Sequence, residues 1–221
     1  NEFKHFKQYI PSFQRYFEPF VGGGGVFFAL FPKHAFINDK STDLISFYRL
    51  IGSNEFETEL YQYNANWQNI AIMVKNCGAT LFSIYNSYKN QQIDKEEMKS
   101  CISHLINQMV TSEKYPQLLA PEFILSKDSV KSEIIKNLHS KFSRIFAIEQ
   151  KEQKIFNEAE LKNHIETAFR SGFYMHFRRI MNENKTPEQS RISEPKRIAN
   201  WFMVRELCYA SMFRFNKNGD F

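Results

Sequence analysis

Apolar and polar positions follow one rhythm in the first fifty residues and another in the rest of the chain. In residues 2–10, EFKHFKQYI, the residues Phe3, Phe6, Tyr9 and Ile10 recur at helical spacing, and Pro11 ends that helix. RYFEPF (15–20) predicts a short buried strand running into four consecutive glycines, residues 22–25. VFFALF (26–31) predicts the first turns of a helix that stops near Pro32, and HAFIN (34–38) a second short strand followed by Asp39. STDLISFYRLI (41–51) predicts a helix with Ser41 as its N-cap, an apolar stripe of Leu44, Ile45, Tyr48 and Ile51, and Gly52 at its C-terminal cap. Strand, glycine turn, helix, strand, acid, helix is the opening of a doubly wound α/β fold.

Residues 53–200 keep helical periodicity almost throughout. Stretches 55–74, 95–110, 128–148 and 158–182 carry it, glycine occurs only at Gly78 and Gly172, and Lys, Glu, Asn and Gln fill the other faces. A mostly α-helical insertion is expected. ENKTPEQSRISEPKR (183–197) is polar and holds two prolines, which predicts a loop. A helix resumes from Arg197, with Ile198, Phe202 and Tyr209 on its expected buried face. Asn218-Gly219 then signals a β-hairpin turn. The chain thus divides at 1–52, 53–200 and 201–221.

Composition adds limits. Aromatic residues make up 16% and charged residues 24% of the 221, enough for a core and ordinary for a soluble protein. No run of about 18 apolar residues occurs and no secretory signal is visible, so no membrane partner and a cytoplasmic location are expected. Cys77, Cys101 and Cys208 lie far apart without metal-ligand spacing, and the six histidines are scattered, so no metal site and no catalytic histidine is expected. The net charge is +5, and residues 171–221 hold nine Lys or Arg against five Asp or Glu. That bias points to a polyanionic partner, or to a solvated charged helix face.

Glycines between a strand and a helix let a ligand meet the backbone, beside exposed N–H groups at the positive end of the helix. A phosphate-binding P-loop needs Lys and Ser/Thr after the glycines, and Val26 and Phe27 stand there instead. A dinucleotide fingerprint starting at Gly22 needs Gly or Ala where Phe27 stands. An adenosyl cofactor without phosphate needs only the close approach and an acid at the end of strand two for the ribose hydroxyls. Asp39 stands at that point, where it would alternatively cap the next helix. Glu18, at the end of the first strand, needs a donor or a cation.

YFEPFVGGGGVFF, INDKSTDLISFYRLI and FMVRELCYASMFRFNKNGDF resemble the Dam-type DNA adenine-N6 methyltransferases. The resemblance implies a partial Rossmann-like methyltransferase core with a large helical insertion and a β-hairpin. It implies S-adenosylmethionine as cofactor, held by Glu18, Pro19, Phe20, Gly22 and Gly24 with Asn38 and Asp39. It implies double-stranded DNA as partner, contacted by Tyr209, Arg214, Asn216 and Lys217, within a methylation or restriction-modification system in which a companion restriction endonuclease is an open question. Arg can read guanine and Asn adenine by paired hydrogen bonds, and a lysine at a turn tip suits phosphate. Ala210 and Ser211 stand where compact members often carry Asn-Gly.

The family's catalytic Asp-Pro-Pro-Tyr is absent from the 221 residues, whose seven prolines are never adjacent. No catalytic residue is therefore assigned, and methyl transfer by these 221 residues alone is not expected. A non-catalytic DNA-binding module of the same fold and an unrelated nucleotide-cofactor α/β enzyme are the alternatives.

Overall fold

The computed structural model describes residues 3–111 and 126–221. It divides into two compact units, Asn1–Phe56 and Glu57–Phe221.

The first unit opens with a helical turn α1 (Phe3–Phe6), continued by a 3-10 turn to Tyr9 and stopped before Pro11. Strand β1 (Tyr16–Glu18) leads through the glycines into α2 (Gly25–Leu30), then β2 (Ala35–Ile37) and α3 (Thr42–Leu50). β1 and β2 pair in parallel, with Tyr16 opposite Ala35, Phe17 opposite Phe36 and Glu18 opposite Ile37. Alternation puts Tyr16, Glu18 and Ile37 on the half-buried face, while Phe17 and Phe36 stack at 4.8 Å on the open one. Phe31 ends α2 in a left-handed conformation because the following Pro32 disfavours continued helix. The Ser41 hydroxyl caps α3 by accepting the Leu44 N–H, and Gly52 follows at φ +83. Of the stripe expected on α3, Leu44 is buried, Ile45 and Tyr48 are half-buried, and Ile51 lies outside the helix, exposed.

In the second unit, α4 (Asn54–Lys89), which begins just before it, runs 36 residues, far past the end expected at 74. Gly78 does not break it, because Met73, Cys77, Leu81 and Tyr85 keep the buried stripe going on both sides. α5 (Lys95–Thr111) buries Met98, Ile102 and Ile106, and α6 (Lys127–Glu152) buries Val130, Ile134, Leu138, Phe142 and Ile145. α7 (Glu158–Glu183) starts in a capping box between Asn157 and Glu160. It packs between α6 and α8 (Glu194–Leu207). Gly172 lets α7 come so close to α6 that a Cβ there would lie 2.9 Å from the Ile134 Cα. Two buried polar groups tie distant helices: Tyr63 donates to Asn200 Oδ1 at 3.0 Å, and Glu149 accepts from Tyr85, Lys89 and the Phe156 N–H.

Three expectations for the C-terminal part need correction. α8 begins at Glu194 rather than Arg197, because Ser193 caps it and Pro195 sits in its first turn, where a missing N–H costs nothing. Its buried face is Ile198, Ala199, Trp201 and Val204; Phe202 is half-buried and Tyr209 is 86% exposed, beyond the helix end. The expected β-hairpin is not formed: no strand occurs among residues 212–221. The turn itself exists, with Gly219 at φ +73 and the Asn216 N–H donating to the Asp220 carbonyl. The reciprocal ladder bond is not made: the Asp220 N–H donates to Asn216 Oδ1, the Asn216 carbonyl takes the Gly219 N–H, and the Phe221 N–H donates to Asn182 Oδ1 at 2.9 Å. Phe213 meanwhile packs between Trp201 and Phe221. The architecture is mostly helical with a two-stranded parallel sheet.

Candidate functional site

The glycine turn hangs between the ends of the two strands. The Asn38 N–H donates to the Glu18 carbonyl and the Val21 N–H to the Asn38 carbonyl, so the ladder carries past both strands to the turn. Asp39 then closes it from the side. Its Oδ2 accepts the Gly22 N–H at 3.0 Å and its Oδ1 accepts the Ser41 N–H at 2.9 Å. Those two backbone donors, Ser41 first, hold the Asp39 carboxyl below its usual range. A carboxylate has about four lone-pair positions. Two are used by the Gly22 and Ser41 N–H groups and the Lys40 N–H also lies near, which leaves room for a further donor.

The other wall comes from α3. The Tyr48 hydroxyl donates to the Gly22 carbonyl at 2.8 Å. Gly24 is the N-cap of α2 at φ +70, and a Cβ there would meet the Phe28 ring at 2.6 Å and the Tyr48 oxygen at 3.0 Å. Gly24 is thus required by the protein's own packing. Gly22, at φ +49, Gly23 and Gly25 are different: a Cβ on any of them meets nothing within 4 Å. The space over that part of the turn is open, and backbone lines it.

Glu18 finds its donor within its own strand, since the Tyr16 hydroxyl donates to its Oε2 at 2.7 Å. Burial, and then the hydrogen bond to Glu18, push the Tyr16 phenol up to about 12. Pro19 and Asn38 are exposed, and Phe20 is 81% exposed at the rim. The structure therefore gathers Glu18, Pro19, Phe20, Gly22, Gly24, Asn38 and Asp39 around one turn. Sequence reading missed Tyr48 and Tyr16. Tyr48 was legible only as one position of a helical stripe, and its bond to Gly22 spans 26 residues.

The residues expected on DNA lie in the second unit. Arg214 and Lys217 are exposed, and so is Tyr209, which precedes Ala210 and Ser211 at φ +55 and +52. Left-handed backbone costs a non-glycine residue about 1–2 kcal/mol, so this turn is held in place by its surroundings. Asn216 is already occupied. Its Oδ1 accepts the N–H groups of Asn218 and Asp220, and its Nδ2 reaches Asp220 at 3.4 Å. It builds the loop, with no amide group left over for a paired contact to adenine. Lys185 clamps the loop through Asp220 at 2.6 Å and the Asn218 carbonyl at 3.1 Å. That hydrogen bond from Lys185 is the leading cause that lowers the Asp220 carboxyl. Arg178 lies over the Phe221 ring at 4.8 Å.

Residues 1–82 match the family model of D12 class N6 adenine-specific DNA methyltransferases. The match holds the glycine turn and Asp39, and it bears out the resemblance there; the C-terminal segment lies outside it. The chain is also similar to the Type II methyltransferase M1.LlaDCHI of Lactococcus lactis subsp. cremoris, 43% identical over 51 residues. That similarity covers 23% of this chain, and the chain spans 18% of the relative's length. No solved structure matches the chain at comparable stringency. No described helix is long and apolar enough to cross a membrane.

Proposed function

We propose that the chain carries the cofactor-binding turn and the DNA-contacting part of an adenine-N6 DNA methyltransferase of a restriction-modification system. The observation behind this reading is the Asp39 clasp: a carboxylate bonded to the Gly22 N–H with free acceptor capacity, beside glycines whose outer side is open. A nucleoside without phosphate fits such a site. Its ribose hydroxyls are donors for Asp39, its body can lie against bare backbone at Gly22 and Gly23, and Phe20 offers an exposed ring at the rim. A phosphate would meet the Asp39 charge, with no lysine in the turn to offset it. S-adenosylmethionine satisfies these conditions and, when bound, supplies a methyl group on a sulfonium centre.

The protein's own contribution at this site is positioning. Tyr48 and Asp39 hold both the carbonyl and the N–H of Gly22, so the turn is ordered before a ligand arrives. In the second unit, Arg214 and Lys217 contact the DNA backbone or a guanine edge, Tyr209 offers an aromatic face, and Asn216 acts by shaping the loop.

Calorimetric titration with S-adenosylhomocysteine and, separately, NAD tests the reading. S-adenosylhomocysteine is expected to bind, and Asp39→Ala to abolish the binding. Binding of NAD with none of S-adenosylhomocysteine overturns it.

A further inference from the structure

We infer that the groove between α5 and α6 carries phosphates of duplex DNA and extends the DNA-contacting surface well beyond the C-terminal loop. This rests on the DNA reading above. The groove has a volume of about 480 Å³ and is lined by Lys99 and Asn107 of α5 and by Asp128, Lys131, Lys136 and His139 of α6, among others. Its one carboxylate, Asp128, is neutralised by Lys131 at 2.6 Å. Lys99 and Lys136 are exposed and form no ion pair among the described residues. The His139 Nε2 is enclosed and has no hydrogen-bond partner among them either. Cations flanked by uncharged donors in an open track suit repeated phosphates.

The helix that forms one wall of the groove is also linked through α7 to the loop that holds Arg214 and Lys217. At the N-terminal end of α6, Ser129 meets Arg179 and His176 of α7. The C-terminal end of α7 in turn holds the loop through Arg178 and Asn182, with Lys185 just beyond. Along this route Asp128, Glu183 and Asp220 each sit in an ion pair, and Glu133 faces Arg179. Lys99, Lys136, Arg214 and Lys217 are exposed cations without an ion pair among the described residues, and Glu96, which faces His139, is the nearby acid they must outweigh.

The test uses the whole 221-residue chain, a fluorescent duplex of random sequence and a sodium chloride series, read by anisotropy. The Lys99→Gln/Lys136→Gln protein is expected to melt like the wild type. Its slope of log affinity against log salt should be smaller by about 2, since each lost phosphate contact removes about 0.9. Lys99→Arg/Lys136→Arg should keep the slope, as should Lys75→Gln/Lys151→Gln. A wild type with steep salt dependence and a Gln double variant with the same slope overturn the groove alone. A wild type that binds no duplex at any salt concentration overturns the DNA reading and the groove with it.

Discussion

Two glycines in long helices should respond to the same substitution with opposite signs. Gly78 lies within α4 and Gly172 within α7. Alanine in a helix interior is favoured over glycine by about 1 kcal/mol. At Gly78 a Cβ meets nothing within 4 Å, so Gly78→Ala should stabilise by about 0.5–1 kcal/mol. At Gly172 the same atom would lie 2.9 Å from the Ile134 Cα and 3.0 Å from its N and Cγ1. Carbon atoms are comfortable at about 3.5–4.0 Å. Relief needs α6 and α7 to part by about 0.6 Å or more, and backbone cannot rotate away as a side chain can. Phe169, Phe173 and Leu138, all fully buried, would lose contact along the seam. Overpacking costs about 1–3 kcal/mol. After the propensity gain, Gly172→Ala should destabilise by up to about 2 kcal/mol. Urea unfolding followed by far-UV circular dichroism reports mainly the helical unit and measures both variants on one scale. A Gly172→Ala protein as stable as Gly78→Ala would refute the close approach of α6 and α7.

Asp39→Ala removes two backbone hydrogen bonds as well as a ligand group, so it should loosen the glycine turn. Hydrogen exchange at the Gly22 amide should accelerate even without cofactor, while exchange in α6 and α7 stays unchanged. Burial, and then the Arg179 charge, lower His176 to about 4. The unfolded chain then binds the proton first, so the stability His176 contributes is complete above about pH 6.5 and is lost as pH falls toward 4. The shift corresponds to about 3 kcal/mol, and His139 and His164 move the same way. Stability of His176→Gln between pH 7 and 5 should therefore depend less on pH than that of the wild type, and an identical pH profile would refute this. Arg214→Gln and Lys217→Gln should each reduce the salt slope of DNA binding by about 1, measured by anisotropy, without changing the melting temperature.

What could be read from the sequence was what local chemistry decides. The Ser41 cap, the stop at Pro32, Gly52 after α3 and the acid after β2 are each specified within a few residues, and all appear as expected. What could not be read depended on distant partners. The helical periodicity read over 55–74 stopped short of Gly78, because the stripe that carries α4 through it is defined by burial against other helices. Pro195 looked like loop until Ser193 was seen to cap the helix ahead of it. Asn218-Gly219 does make its turn, but no strands follow, because the Asn216 side chain takes the Asp220 N–H and Asn182, 39 residues back, takes the Phe221 N–H. In the candidate site the same division holds. Asp39 was legible from its place after a strand, whereas Tyr48 and the internal reason for Gly24 emerged only once α3 was folded over the turn.

The Tyr63–Asn200 bond bears on the order in which a growing chain can complete its structure. The clasp between Gly22 and Asp39 closes across 17 residues, and its partners leave the ribosome almost together. Tyr63 must wait for a partner 137 residues later. At about 5–20 residues per second, that interval is roughly 7–27 s of synthesis. Through it the glycine turn can already be ordered, while the first half of α4 lacks its Asn200 contact and carries an uncovered apolar stripe. The N-terminal unit is thus available from early in translation, and the helical unit is committed only when α8 emerges.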